Sequence, residues 1–202
     1  MSAESDFLEN KKNALQKLDK ARNEGKADLD ILPVLDIINS SDDYFTSSSC
    51  YGRIVLLELP VIGDKKNAKF IGKWHRTINS DEVISSLEKT DKGQLWLLAQ
   101  SSIIHIGAKT NESADKLLKI AYSCGFKHSG FKSLENRYII EICSTERLDA
   151  PVGKDGKLFC DKEHLDLLVK ISNKIMEKSN AKLKRFEQEL RKSLSTYKTT
   201  IK

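Results

Sequence analysis

The sequence predicts an α+β protein, a mixed β-sheet with helices packed on it and a long C-terminal helix. Three observations lead there. Apolar residues recur at helical spacing at both ends of the chain, while the middle carries short, dense apolar runs bounded by Gly, Ser and Asp. Hairpin-length loops join some of those runs, which asks for antiparallel pairing. No G-x-G-x-x-G turn is present, so a Rossmann-type, doubly wound sheet is not indicated. A chain of 202 residues can bury one respectable core or two small lobes. One domain is expected over 1–202, with N-terminal helices in 1–40, the sheet core in 44–160 and the long helix in 161–198.

The elements follow in order. Phe7, Leu8, Lys11, Leu15, Leu18 and Arg22 keep helical spacing over 5–24, and Gly25 stops that helix. Asp28 or Asp30 caps a short helix through Ile38, with Pro33 in its first turn, where a missing N–H costs little. Ser40–Asp43 ends it. Strands are expected at 53–60 and 68–78, with Gly63–Asn67 as the loop between them. Ser80 or Asp81 caps a helix through Lys89. Leu95–Ala99 and Ile103–Ile106 read as strands. Asn111 caps a helix that buries Ala114, Leu117, Leu118 and Ala121, and Gly125 sits where a left-handed C-terminal cap belongs. Strands are expected again at 127–133 and 136–144. Residues 145–160, with Pro151, Gly153 and Gly156, read as a long connection. Asp161 opens the last helix. Its seam is Leu165, Leu168, Ser172, Ile175, Ser179, Leu183, Phe186 and Leu190. The helix packs in cis or builds a homodimer, so monomer and homodimer both stay open. Fraying is expected after Leu194.

Composition narrows the function classes. No stretch approaches a membrane span, and the polar N-terminus carries no apolar signal core. A cytoplasmic protein is expected. Cys50, Cys124, Cys143 and Cys160 form no C-x-x-C pair, so a zinc ribbon or a thioredoxin-type site is not indicated. The net charge is +5, and acidic and basic residues balance through residue 160, so the whole excess lies in the last helix and tail. That suits a polyanion partner. Lys174, Lys178, Lys182, Lys184 and Arg185 could guide an RNA, or simply solvate a helix face.

Thr46-Ser47-Ser48-Ser49-Cys50-Tyr51-Gly52-Arg53 is the segment richest in chemistry. Read as a turn before a strand, it offers backbone N–H groups, hydroxyls and the planar donor fork of Arg53 to a phosphate or carboxylate. The alternative is an ordinary Ser turn with Gly52 at an unusual backbone angle. Tyr51, inside the polar segment, is a candidate to stack on a base. Cys50 reads as a wall residue. His105 lies in a strand where 103 and 105 share one face and 104 and 106 the other. His75 follows Trp74 near a strand end. Either histidine is a proton acceptor near neutral pH, or a structural residue. Ser129-Gly130 lets a backbone approach a ligand, or marks a bulge. Glu141 can bind ribose hydroxyls or pair with a lysine, the second being the simpler reading.

Ser48-Ser49-Cys50-x-Gly52-Arg53-Ile54, then His75, His105 and Gly125-Phe126-Lys127-His128-Ser129-Gly130-Phe131, resemble the tRNA wybutosine-synthesising protein 3 family in order and spacing along nearly the whole chain. The chain departs from the family pattern before His105, where Gln100-Ser101-Ser102 replaces a run that includes proline. The resemblance implies an S-adenosylmethionine-dependent methyltransferase acting on ring nitrogen N4 of the tricyclic wyosine-type base at position 37, in the anticodon loop of phenylalanine tRNA. It implies a fold outside the usual nucleotide-binding one. On this reading His105 and His75 are catalytic. Ser48, Ser49, Cys50, Gly52, Arg53, Ser129 and Gly130 hold the cofactor, and Tyr51, Arg53 and Lys127 hold the substrate. No metal is implied. The alternative is a non-enzymatic RNA-binding protein whose Ser-Cys-Gly-Arg segment grips a phosphate.

Overall fold

The computed structural model describes residues 3–64, 66–90, 92–134 and 137–195. Its elements are α1 (Ala3–Asn23), α2 (Leu32–Asn39), β1 (Tyr44–Cys50), β2 (Arg53–Leu59), β3 (Lys69–Trp74), α3 (Ser80–Ser86), β4 (Gln94–Gln100), β5 (Ile103–Ala108), α4 (Asn111–Ser123), β6 (Gly130–Ser133), β7 (Tyr138–Cys143), β8 (Arg147–Lys154), β9 (Lys157–Leu158) and α5 (Lys162–Ser195). The α+β class and the long last helix are as expected. The single mixed sheet is not: there are two sheets, ordered β1-β5-β7-β6 and β3-β2-β4-β8-β9, and every pairing in them is antiparallel. The described chain divides into two compact units, Met1–Tyr51 with Ser102–Thr145 and Asn180–Lys202, and Gly52–Ser101 with Glu146–Ser179.

The first unit holds the four-stranded sheet. Ile104, Ile106, Ile140 and Ile142 alternate toward a core closed by Leu117 and Leu118 of α4 and by Leu183, Phe186 and Leu190 of α5. Gly125 ends α4 at φ +98°. Its N–H donates to the Tyr122 carbonyl and that of Phe126 to the Ala121 carbonyl, 3.1 and 3.0 Å, which is the Schellman arrangement. Gly125→Ala therefore lowers stability by about 1–2 kcal/mol, read by urea unfolding, because an L side chain is strained in that backbone region.

The second unit holds the five-stranded sheet, whose core-facing Ile54, Leu56, Leu95, Leu97 and Ala99 meet Leu165, Val169 and Met176 of α5. All eight residues of the expected seam on α5 are buried. Asp161 caps the helix, its carboxylate accepting from the His164 N–H at 2.8 Å.

Several expectations shift by local chemistry. Asn79 caps α3 and Thr110 caps α4, each through a capping box, one residue before the expected caps at Ser80 and Asn111. Asp28 does not cap with its side chain; that carboxylate accepts the Tyr51 N–H instead. Residues 46–53 are not one turn, because β1 runs through Cys50 and only Tyr51 and Gly52 separate it from β2. Residues 145–160 are mostly the β8–β9 hairpin, with Asp155 and Gly156 at its tip in positive φ. Lys65 in the expected loop, Asn136 at an expected strand start and the tail beyond Ser195 lie outside the described residues.

Candidate active site

In the first unit, Ser48, His105 and Glu141 stand directly opposite one another on β1, β5 and β7. A bulge sets this row. Register is regular up to Thr46↔Ile106, then skips Ser47, so that Ser48 rather than Ser47 faces His105. Without the extra residue Ser48 would turn to the core face. Asn39, the last residue of α2, holds the strand just before the bulge, accepting the Thr46 N–H at 2.8 Å and donating to its hydroxyl at 2.9 Å.

His105 Nδ1 lies 2.8 Å from Ser48 Oγ, and Nε2 lies 2.8 Å from Glu141 Oε2. Lys132, the bulged residue of β6, reaches Glu141 Oε1 at 3.0 Å. Partial burial opposes ionisation of Glu141, but the Lys132 ammonium and the His105 ring prevail and hold its carboxyl below the ordinary value. An ionised Glu141 can only accept, so Nε2 of a neutral His105 carries the hydrogen. Nδ1 then has a free lone pair, and Ser48 donates to it. The side chains of His105 and Glu141 are 30% and 18% exposed, so solvent and ligands reach the row while Ile104 and Ile106 on the opposite face are buried.

Ser48 also lines a cleft of about 240 Å³ with Lys17, Lys26, Asp28, Ser47 and Ser49. Cys50, half-buried, follows on β1 opposite Ile103. Tyr51 packs its ring against the first core. Its backbone is pinned at both polar groups, the N–H by Asp28 and the carbonyl by the buried Ser102 hydroxyl at 2.6 Å. Burial first, and the charge of Asp30 second, push its phenol above the ordinary value. Ser129 spends its hydroxyl on the Phe126 carbonyl at 2.8 Å and the Cys143 N–H at 3.0 Å, fastening the end of α4 to β7. Gly130 stands opposite Glu141, and a Cβ there would meet nothing within 4 Å. Lys127 is exposed.

Gly52, Arg53 and His75 belong to the second unit. Gly52 takes φ +108°, which an L residue rarely adopts. Arg53 opens β2, donates from Nε to Gln100 Oε1 at 3.0 Å and lays its guanidinium over the Phe70 ring, 5.5 Å from the centroid. His75 is half-buried just beyond β3. Tyr44 and Phe45, which open β1, are core, and Lys182, one of the basic residues of the last helix, is engaged with Ser144 Oγ at 2.7 Å. The pairing of Glu141 with a lysine holds, but its second partner, His105, needed the β5–β7 register to be seen.

The profile of the family described as Methyltransferase TYW3 matches residues 9–192. A relative from Pyrococcus horikoshii, named tRNA(Phe) 7-((3-amino-3-carboxypropyl)-4-demethylwyosine(37)-N(4))-methyltransferase 1, is 48% identical over 189 residues, 91% of this chain and 96% of its own. A Methanocaldococcus jannaschii methyltransferase named for the same tRNA position is 38% identical over 186 residues, 91% of this chain and 96% of its own. A solved structure from Pyrococcus horikoshii superposes with a TM-score of 0.89 at 47% identity, over 94% of this chain and 98% of the other. One from Aeropyrum pernix does so with a TM-score of 0.71 at 30% identity, over 82% and 98%. The chain belongs to the TYW3 methyltransferase family.

Proposed function

We infer that this protein is an S-adenosylmethionine-dependent tRNA methyltransferase that acts on N4 of the tricyclic wyosine-type base at position 37 of phenylalanine tRNA. Family membership and the names of its relatives support the transferase class and the tRNA substrate. The observation that carries the chemistry is the Ser48–His105–Glu141 row.

The methyl donor supplies an activated methyl group on a sulfonium, so no protein nucleophile is needed. What the protein must supply is alignment and a place for the proton of the ring nitrogen. As that nitrogen is methylated its proton passes to Ser48 Oγ, and the Ser48 proton passes to His105 Nδ1. The imidazolium so formed keeps its Nε2–H on Glu141, whose charge Lys132 maintains. Cys50 contributes wall rather than charge.

The donor set fits the proposed cofactor. The Ser49 hydroxyl in the first unit and the Arg53 guanidinium in the second are groups of the kind that suit a methionine carboxylate. Ser48, its hydroxyl committed to His105, serves the cofactor through its backbone and Gly52 through its positive φ. Gly130 leaves space for a ligand, since a Cβ there would meet nothing within 4 Å. Ser129 serves that group through its backbone, since its hydroxyl is spent. His75 is the alternative proton acceptor, and Tyr51, Arg53 and Lys127 are the substrate contacts in this reading. Four free thiols support a reducing, cytoplasmic setting. Among the described residues no helix is long and apolar enough to cross a membrane.

The test is transfer of label from S-adenosylmethionine to phenylalanine tRNA carrying the unmethylated tricyclic base. Label appears in that base with wild type. Arg53→Ala raises KM for the donor about 10- to 100-fold, the value of a charge-assisted contact to a carboxylate. No label, together with no donor binding by calorimetry, would leave the RNA-binding alternative standing.

A further inference from the structure

The second unit exposes apolar surface that the proposed chemistry does not use. On the face of its sheet turned away from the core, Val55, Leu57, Phe70, Trp96 and Leu98 line a groove of about 480 Å³. A second groove of about 550 Å³ shares Ile62 and Trp96 with it and adds Pro151 and Phe159. Ile62, Phe70 and Phe159 are 73%, 57% and 76% exposed. A folded chain does not leave so continuous an apolar patch without a use for it.

Three features select the occupant. The rings of Phe70 and Trp96 stand on an open sheet face, and the Arg53 guanidinium plane lies over Phe70. Rings and guanidinium planes of this kind stack on unpaired nucleobases. The border carries three basic residues, Arg53 and Arg147 on one groove and Lys154 on the other, with Lys154 beside Asp155 at 3.9 Å. The Arg147 and Lys154 side chains stay 64% and 57% exposed, so phosphates can compete for them. The acidic residue lining the first groove, Asp149, is already engaged by Arg147 Nε at 2.5 Å. The surface is also too open for a small cofactor, which is usually enclosed over most of its area.

We propose that this face binds unpaired nucleotides of the substrate tRNA, Phe70 and Trp96 stacking on bases while Arg147 and Lys154 meet phosphates. The proposal rests on the reading of the substrate as a tRNA. It assigns the second sheet a part in RNA capture that is separate from proton transfer in the first unit.

The experiment measures binding of phenylalanine tRNA to wild type, Phe70→Ala, Trp96→Ala and Arg147→Ala across a salt series. Binding of S-adenosylhomocysteine, thermal unfolding and sedimentation are recorded for each protein. Each ring removed weakens tRNA binding about 5- to 150-fold. Trp96→Ala leaves S-adenosylhomocysteine affinity and unfolding temperature unchanged, whereas Phe70→Ala, which removes the ring beneath Arg53, is compared with wild type for tRNA binding and unfolding temperature. Phe70→Tyr and Trp96→Phe, which keep a ring, keep most of the binding. Arg147→Ala lowers the salt slope by about 0.7–0.9. Wild-type tRNA binding that the alanine variants retain overturns the proposal and leaves the methyltransferase reading intact. Loss of S-adenosylhomocysteine in place of tRNA also overturns it, assigning the groove to the donor's adenine. So does a dimer that Trp96→Ala dissociates, because the face then serves a second copy. A wild-type protein that neither binds nor methylates the tRNA defeats the underlying reading itself.

Discussion

His105→Ala lowers the rate of methyl transfer about 10²- to 10⁴-fold, the usual contribution of a positioned general base, while KM for the tRNA stays near wild type. The split follows from where the residue acts. In the proposed relay His105 accepts the proton only as the nitrogen is methylated, so its loss falls on kcat and not on ground-state binding. Ser48→Ala cuts the same proton path one atom earlier and gives a loss of similar size. The double variant is no worse than either single one, because the two groups act as one relay. Glu141→Gln separates a relay from a merely structural contact. It keeps the shape but removes the charge that favours the imidazolium in the transition state, so the maximal rate falls. Glu141→Asp restores part of that rate. None of these side chains fills a core, since the His105 and Glu141 side chains are 30% and 18% exposed, so unfolding temperatures stay close to wild type. Near-normal transfer by His105→Ala would remove the relay and point to His75. A loss confined to KM would recast His105 as a binding residue.

The same row shows what the sequence discloses and what it hides. Alternation along Ile103–Ile106 puts 103 and 105 on one face and 104 and 106 on the other, and the structure makes the second of these the buried one. The helix seam from Leu165 to Leu190 is legible because its period is local, and every residue in it is buried. Gly125 is legible because one backbone angle decides the residue type. Register between strands is not local. Nothing in the sequence tells that Ser48, His105 and Glu141, far apart in the chain, share one line across a sheet. The bulge that aims Ser48 depends on Asn39 at the end of a different element. Strand β1 is hard to read from sequence for a related reason. It lies at a sheet edge, where hydroxyl-rich residues are tolerated, so its apolar signal is weak. The β8–β9 hairpin is a different case. Pro151, Gly153 and Gly156 read as a connection, yet Asp155-Gly156 forms a hairpin tip and β8 accommodates Pro151 beside a register shift.

Phe186→Ala destabilises the protein by about 3–5 kcal/mol, the cost of emptying a fully buried aromatic site. Phe186 on α5 is 0% exposed, and its ring sits 5.6 Å from that of Phe126, tilted by 59°, a geometry that adds to simple burial. Phe126 is itself the residue that closes the α4 cap by donating to the Ala121 carbonyl. One ring pair therefore joins the last helix to the end of α4 inside the core on which Ile104 and Ile106 rest. A loss of this size is a large share of the roughly 5–15 kcal/mol that holds a typical domain together. Urea unfolding shows a lower midpoint, whereas Lys184→Ala on the exposed side of the same turn shifts stability by less than about 0.5 kcal/mol. Transfer activity of Phe186→Ala is retained at temperatures where it stays folded and is lost together with the fold on warming, because the ring supports β5 from the face opposite His105 and touches no reacting group. Unchanged stability would mean that the core collapses around the gap, and that the placement of His105 rests on the sheet alone.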